Sequence, residues 1–213
     1  SQGVYWVNLP DLGASVSGLQ IQRGVGTSSV GASAFGASIA INTLGSVVKP
    51  KVKVVLGMGS FNSKRESVSW STGMLGEGFS FDGRVSHISS DGFIDRASSE
   101  LNSLYTSIAK RWDRGRMTFT TMLGNERTYQ AWFGVPQIVT EQSVSDNHIL
   151  DWAAGSYEYG YGSDTVRILD LLENRRTHNY YNYENEVDDY AQNHLQLHID
   201  QRIGLADLSM TIY

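Results

Sequence analysis

Cysteine is missing from this chain of 213 residues, and proline occurs only three times. Without cysteine, neither a disulfide scaffold nor thiolate catalysis is possible. Charged residues make up 18% of the chain and the formal net charge is −5, so the composition gives no electrostatic reason to expect a nucleic-acid partner. No apolar run approaches the roughly 20 residues of a membrane-spanning helix. A transmembrane β-barrel is still allowed, because only every second residue of its strands faces lipid.

Glycine, serine and tyrosine are abundant instead, which favours strands and turns over helices. The chain starts at Ser1, with no methionine or signal peptide, and it stops at Tyr213 inside an alternating run. We therefore expect it to be part of a longer protein.

From Lys51 onward, apolar and polar residues alternate with the period of a β-strand that separates two unlike environments. Six segments follow this pattern, and a seventh at 101–110 follows it less cleanly. The apolar positions include Val52, Val54, Leu56, Met58, Val68, Trp70, Phe79, Phe81, Val85, Met117, Phe119, Leu123, Leu195, Leu197, Ile199, Leu208, Met210 and Ile212. We expect Trp70, Phe119 and Leu197 to face hydrocarbon rather than an opposing sheet.

The connections between these segments alternate in length. Short turns lie at 75–78, 112–115 and 203–206, and longer polar segments lie at 87–100 and 125–190. The exception is the connection at 59–62, which is short although it lies at the edge where long connections are expected. Short turns at one edge and long loops at the other are typical of outer-membrane barrels. A soluble β-sandwich is the alternative interpretation of the same pattern.

The segment at 23–37 consists almost entirely of small residues and raises the possibility of a phosphate-binding loop. Its GVGTSS stretch (24–29) lacks the third glycine of a dinucleotide fingerprint, and a strand rather than a helix follows. A flexible linker fits poorly, because Val25, Val30 and Phe35 are apolar. We interpret the segment as compact structure in which close backbone approach requires small side chains.

Several motifs within residues 1–136 combine into one pattern. LQIQRG (19–24) and AFGASIAINT (34–43) flank the small-residue segment, and YWVNLPD (5–11) precedes them. GSFN, SSDGFIDRA and ERTYQAWFGVP follow at 59–62, 89–97 and 126–136. Together these motifs resemble those of TonB-dependent outer-membrane receptors, in a branch for the uptake of iron chelates or vitamins. The resemblance resumes near 180–190; one departure is Ala37-Ser38, where many relatives have two glycines.

The resemblance implies an all-β fold in two parts. Residues 1–48 would be the C-terminal part of a plug domain, and 49–213 would supply about seven antiparallel transmembrane strands of a 22-stranded barrel. A long extracellular loop would lie at about 125–190. The TonB box and the first half of the plug are absent from this chain.

The same resemblance implies a function in transport. The whole protein would lie in the outer membrane of a Gram-negative bacterium, in contact with its lipid. It would take up a ferric siderophore, another iron chelate or a corrinoid, with energy supplied by the inner-membrane TonB complex. It implies neither catalysis nor a cofactor.

Two charged or histidine-bearing features suggest specific contacts. Relatives pair plug arginines with barrel glutamates, so Arg23 and Glu66 are the candidate plug–barrel contact; the alternative for Arg23 is a surface charge at a strand end. His194 and His198 are four residues apart, but Leu195 stands where the zincin motif needs glutamate. We expect the two histidines to line the lumen rather than to bind zinc.

The long segment at 125–190 is rich in aromatic residues interleaved with arginine. Aromatic rings stack on planar or glycosidic ligands, and arginine pairs with carboxylates. The candidate ligand-binding residues are Tyr129, Trp132, Tyr157, Tyr159, Tyr161, Arg175, Arg176, Tyr180, Tyr181 and Tyr183. The alternative is that these rings form the aromatic girdle or pack the loop on itself. Residues 166–173 predict a short helix within it.

Two other classes of function remain to be weighed. A soluble extracellular β-sandwich that recognises glycans through tyrosine-rich loops is the alternative to transport. An enzyme is not expected, because the sequence contains no convincing nucleophile–base pair or metal-ligand spacing.

Overall fold

The structure, a computed structural model, describes residues 9–24, 36–43, 49–141, 143–155, 161 and 164–213. It consists mostly of antiparallel strands, as the alternation predicts. Strands β1 (Val16–Arg23) and β2 (Ala37–Thr43) form a hairpin. One seven-stranded sheet follows, with its strands in chain order: β3 (Lys51–Met58), β4 (Lys64–Ser71), β5 (Phe79–Ser90), β6 (Ser99–Trp112), β7 (Gly115–Tyr129), β8 (Val187–Ile203) and β9 (Ala206–Ile212).

The register of the sheet extends the alternation of each strand across its neighbours. Every pairing from β5 to β9 is antiparallel and free of slips, so residues of the same kind stand side by side. One such row is Phe81, Ile108, Phe119, Leu197 and Ile212. The sheet therefore has one apolar face and one polar face.

The apolar face is exposed and the polar face is buried. Val52 is 71% exposed, and Trp70 and Phe119 are 37% and 39% exposed. By contrast, the buried side chains of the sheet include Ser80, Asp82, Arg84, Ser86, Ser107 and Thr120. In the described ranges the only other sheet is the β1–β2 hairpin, which lies against the polar face. No opposing sheet in those ranges covers Trp70, Phe119 or Leu197.

A glycine interrupts the apolar row of β5 for a steric reason. The indole ring of Trp70 lies directly over Gly83 on the neighbouring strand, where a Cβ atom would be 2.2 Å from the ring. Glycine at this position therefore lets the tryptophan lie flat against the sheet.

The connections follow the predicted alternation in length in part. Two-residue turns join β6 to β7 and β8 to β9, and residues 72–78 join β4 to β5 at the same edge, whereas the connections at 59–63, 91–98 and 130–186 lie at the opposite edge. The connection at 59–63 is the exception, because it is shorter than the one at 72–78. The connection at 130–186, which we call the loop unit, carries α1 (Gln137–Thr140), α2 (Asp146–Gly155) and α3 (Thr165–Glu173). The helix predicted at 166–173 is confirmed by α3. No helix in the described ranges is long and apolar enough to cross a membrane.

The loop unit has an apolar core of its own. Val139, Ile149, Ala153, Tyr161 and Leu171 are almost inaccessible to solvent. The carboxylate of Asp164 caps α3 by accepting a hydrogen bond from the Arg167 amide at 3.1 Å. The segment is thus a folded unit rather than an irregular connection.

Candidate functional site

A buried polar network joins residues 9–15 to the polar face of the sheet. The Arg84 guanidinium donates to the Ser15 hydroxyl at 2.7 Å and to the Asp11 carboxylate at 3.1 Å. Arg65 donates to the other Asp11 oxygen at 2.7 Å. The Ser86 hydroxyl also donates to Asp11, at 2.5 Å. We call Asp11, Ser15, Arg65, Arg84 and Ser86 the Asp11 clamp.

The Asp11 clamp supplies an anion for the positively charged Arg84, which the sheet buries. The Arg84 side chain is only 3% exposed, and Asp11 is also largely buried. Arg84 makes a third contact by donating to the Ser103 hydroxyl at 3.0 Å. A buried guanidinium without an anion is strongly unfavourable, so Asp11 fixes where the segment lies on the sheet.

The predicted pair of Arg23 and Glu66 is not brought together in the described part of the chain. Arg23 ends β1 and is exposed. Glu66 is exposed as well, and its parity places it on the apolar face with Val68 and Trp70. The ion pairs among the described residues do not join the two side chains, and this contact stays a prediction. The neighbouring Arg65 instead faces residues 9–15.

The two histidines four residues apart lie on the polar face of β8, as expected for lining residues. The His198 ring contacts the Thr211 hydroxyl at 2.8 Å and the Asp200 carboxylate at 3.0 Å. His194 lies on the same face of β8, four residues before His198. The described residues contain no group of three or more side chains that could hold a metal ion.

A cleft lies between the β1–β2 hairpin and strands β6 to β8. Its volume is about 510 Å³. Leu9, Leu12, Ile39 and Ile41 form one wall, and the polar ladder of β7 and β8 forms the other.

Within the loop unit, a hydrogen-bonded chain runs through the core. The Tyr161 hydroxyl lies 2.9 Å from Nε2 of His178, and Nδ1 of His178 lies 2.7 Å from the Asp170 carboxylate. All but 3% of the His178 side chain is buried. Burial lowers the pKa of His178 below its ordinary value, and the hydrogen bond and charge of Asp170 oppose this shift only in part.

Three of the tyrosines predicted to bind ligand pack the loop unit. Tyr161 is buried in its core, and the ring of Tyr180 meets that of Tyr161 edge-on, with centroids 5.7 Å apart. Tyr181 stacks on Phe133 at 5.7 Å. The Arg167 guanidinium covers the Tyr180 ring at 4.8 Å. These contacts match the alternative interpretation, in which the rings pack the loop on itself.

The two predicted arginines differ in their surroundings. Arg175 donates to the carbonyl of Val144 at 3.1 Å and pairs with Asp146, so it joins two parts of the loop unit. Arg176 is exposed, and its guanidinium lies 6.0 Å from the Phe93 ring centroid.

The remaining predicted aromatic residues lie on the surface or outside the described residues. The Tyr129 hydroxyl donates to the Tyr183 carbonyl at 2.6 Å. Trp132 is 75% exposed and Tyr183 is 67% exposed, so both rings are accessible. Tyr157 and Tyr159 lie outside the described residues, as do residues 25–35 of the small-residue segment.

A second set of polar contacts, which the sequence did not indicate, fastens the loop at 91–98 to the loop unit. Arg96 donates to the carbonyls of Asn179 and Tyr181, both at 3.0 Å. The Asn179 amide donates to the carbonyls of Asp95 and Gln130, at 2.9 and 3.0 Å. The sequence points to these contacts only by placing Arg96 in a loop motif. The left-handed φ of 65° at Arg96 is visible only in the structure.

Comparison of the chain with protein-family models found no match, and a search among curated proteins found none either. The resemblance to TonB-dependent receptors therefore depends on the motifs of the chain alone.

Proposed function

We propose that this chain is part of a TonB-dependent outer-membrane receptor. The seven-stranded sheet would be a segment of the transmembrane barrel, and residues 1–48 would belong to the plug. The whole receptor would import a ferric siderophore, another iron chelate or a corrinoid, with the inner-membrane TonB complex as its energy source. The chain would carry out no chemistry on the ligand.

The observation that carries the proposal is the inverted burial of the sheet. In water, a sheet hides its apolar face and exposes its polar one. Here the row of Phe81, Ile108 and Phe119 is exposed, whereas Ser80, Arg84 and Thr120 are buried. A sheet in a barrel wall that contacts lipid outside and a filled polar interior inside has this distribution.

Two further features support the proposal. The Asp11 clamp attaches an N-terminal segment to the polar face, on the side where a plug would lie. The folded loop unit lies at the long-connection edge, on the side where an outer-membrane barrel has its extracellular loops. The glycan-binding sandwich has less support, because its apolar face would need a second sheet.

The absence of cysteine allows a direct test of the proposal. We would introduce single cysteines at the adjacent positions Leu197 and Gln196, attach a spin label, and refold each full chain in detergent micelles. We expect the label in Leu197→Cys to be relaxed by oxygen, which enters hydrocarbon. The label in Gln196→Cys should be relaxed by a water-soluble nickel chelate instead.

The two neighbours differ only in the face that they occupy, so each is the control for the other. A label at Leu197 that is shielded from both relaxants would show a dry protein core and would favour the soluble sandwich. Equal accessibility to nickel at both positions would also contradict the barrel wall.

A further inference from the structure

The cleft beside the hairpin lies well away from the candidate ligand residues of the loop unit. It extends from Arg116 to Met122 on β7 and from Gln192 to Asp200 on β8, toward the short-turn edge of the sheet. At about 3.4 Å per residue, the stretch of β7 from Met122 to Tyr129 separates it from the loop unit by roughly 24 Å.

The floor of the cleft is a ladder of polar side chains in register. Thr118 stands opposite His198, and Thr120 stands opposite Gln196. Gln192, His194 and Gln196 occupy successive inward positions of β8 and make no side-chain hydrogen bond to any residue that the structure describes. The Thr118 hydroxyl is likewise without a partner among the described residues. The ladder therefore has unused donors and acceptors facing one space.

The charges of the cleft compensate one another. Arg116 stands opposite Asp200, and His198 contacts the same carboxylate. No lysine lines the described wall of the cleft, and its other polar groups are amides, hydroxyls and imidazoles. An anionic solute thus finds no net positive charge, whereas a neutral solute with many hydroxyl or amide groups finds complementary donors and acceptors.

We propose that this cleft is a second binding site, for a neutral solute rich in hydroxyl or amide groups. Its volume of about 510 Å³ is within the usual range of small-molecule sites. The apolar side chains of Ile39 and Ile41 form the opposite wall, against which the carbon skeleton of such a solute packs. Binding itself needs only the geometry above. That the solute reaches the cleft in transit from the loop unit rests on the proposed function.

Histidine resonances provide the test, because the chain has only five histidines. The full chain, with ¹⁵N-labelled histidine and refolded in detergent, would be titrated with raffinose, a neutral trisaccharide, and separately with citrate. We expect raffinose to shift the ring signals of His194 and His198, while those of His87 and His148 stay in place. Citrate should produce smaller shifts at the same concentration.

Two variants on one strand sharpen the test. Gln196→Leu should weaken raffinose binding by roughly fivefold, the value of one neutral hydrogen bond. Asn193→Leu, three residues away on the opposite face, should leave binding unchanged and shows whether the strand tolerates leucine. No shift at His194, stronger binding of citrate, or equal effects of the two variants would overturn the proposal. The spin-label experiment decides the membrane assignment separately, since it does not involve raffinose.

Discussion

In the loop unit the inaccessible side chains include Val139, Ile149 and Leu171, whereas in the sheet that carries it they include Ser80, Arg84 and Thr120. Both regions belong to one continuous chain of ordinary composition. The loop unit follows the usual rule of an apolar interior. In the sheet, the apolar residues are exposed instead, and the buried face carries polar side chains joined by hydrogen bonds and an ion pair.

The contrast teaches that the two regions are suited to different surroundings. A unit with an apolar core is stable in water, because burial removes its hydrocarbon from that solvent. A sheet that exposes its apolar rows gains nothing from water on that face, and its order depends on what covers both faces. A mutation that disrupts only polar burial should therefore affect the sheet, and one that disrupts only apolar burial should affect the loop unit.

The largest effect is expected from Asp11→Ala, which tests the polar burial of the sheet. It leaves Arg84 enclosed without its anion, at a cost of about 4 kcal/mol. Residues 9–24 should then lose their protection in hydrogen exchange of the refolded chain. Asp207→Ala is the control, because the Asp207 side chain is 84% exposed in its pair with Arg202 and its loss should cost less than about 0.5 kcal/mol. Unchanged protection of residues 9–24 in Asp11→Ala would contradict the clamp.

The next largest effect is expected from Leu171→Ala, which tests the apolar burial of the loop unit. Removing this side chain from the core should destabilise the unit by about 3 kcal/mol. Hydrogen exchange of α2 and α3 should accelerate while that of the sheet stays constant. In the matched variant Leu169→Ala, on the same helix but 58% exposed, exchange should stay within about 0.5 kcal/mol of the wild-type chain. Equal effects of the two variants would show that the loop unit has no specific core.

A smaller effect is expected from acidification, which tests the polar chain inside the loop unit. His178 is surrounded by Tyr161, Asp170, Asp95 and Arg96, and burial lowers its pKa. Below pH of about 6.5 the unfolded chain binds a proton at His178 before the folded unit does, so the free energy of unfolding falls as the pH falls. Above that pH, this contribution to stability is fully present.

The measurement is urea unfolding of the loop unit at a series of pH values, followed by near-ultraviolet circular dichroism of its aromatic residues. His178→Gln should remove part of the pH dependence between neutral pH and the lowered pKa. His148→Gln, on the exposed side of α2, should leave it intact. Identical pH profiles for the wild-type chain and His178→Gln would exclude His178 as the titrating group.

Much of the fold could be predicted from the sequence because the relevant signals are local. Alternation along each strand and turn residues between strands are set within a few neighbours. The helix at α3 was visible for the same reason. The face of the sheet on which Glu66 lies is also set by local sequence. Because strand residues alternate between faces, counting from Val68 places Glu66 on the apolar face, where it is a poor partner for a plug arginine.

The polar contacts were not predictable, because they join residues distant in sequence. Asp11 meets Arg84 across 73 positions, and Arg96 meets Asn179 across 83. Nor does the sequence distinguish a tyrosine that binds ligand from one that packs a core, since the same ring and hydroxyl serve both purposes. Within one segment, the Tyr161 ring is buried in the core of the loop unit, whereas the Trp132 ring is 75% exposed.

The polar contacts between the loop at 91–98 and the loop unit also affect how this surface tolerates mutation. Arg96 and Asn179 both recognise main-chain carbonyls, which every amino acid carries. Replacing Tyr181 or Gln130 leaves the carbonyl in place, so these hydrogen bonds depend on the side chains of Arg96 and Asn179 and not on those of their partners. The outward-facing positions around these contacts can therefore diversify under selection while the architecture that displays them is preserved.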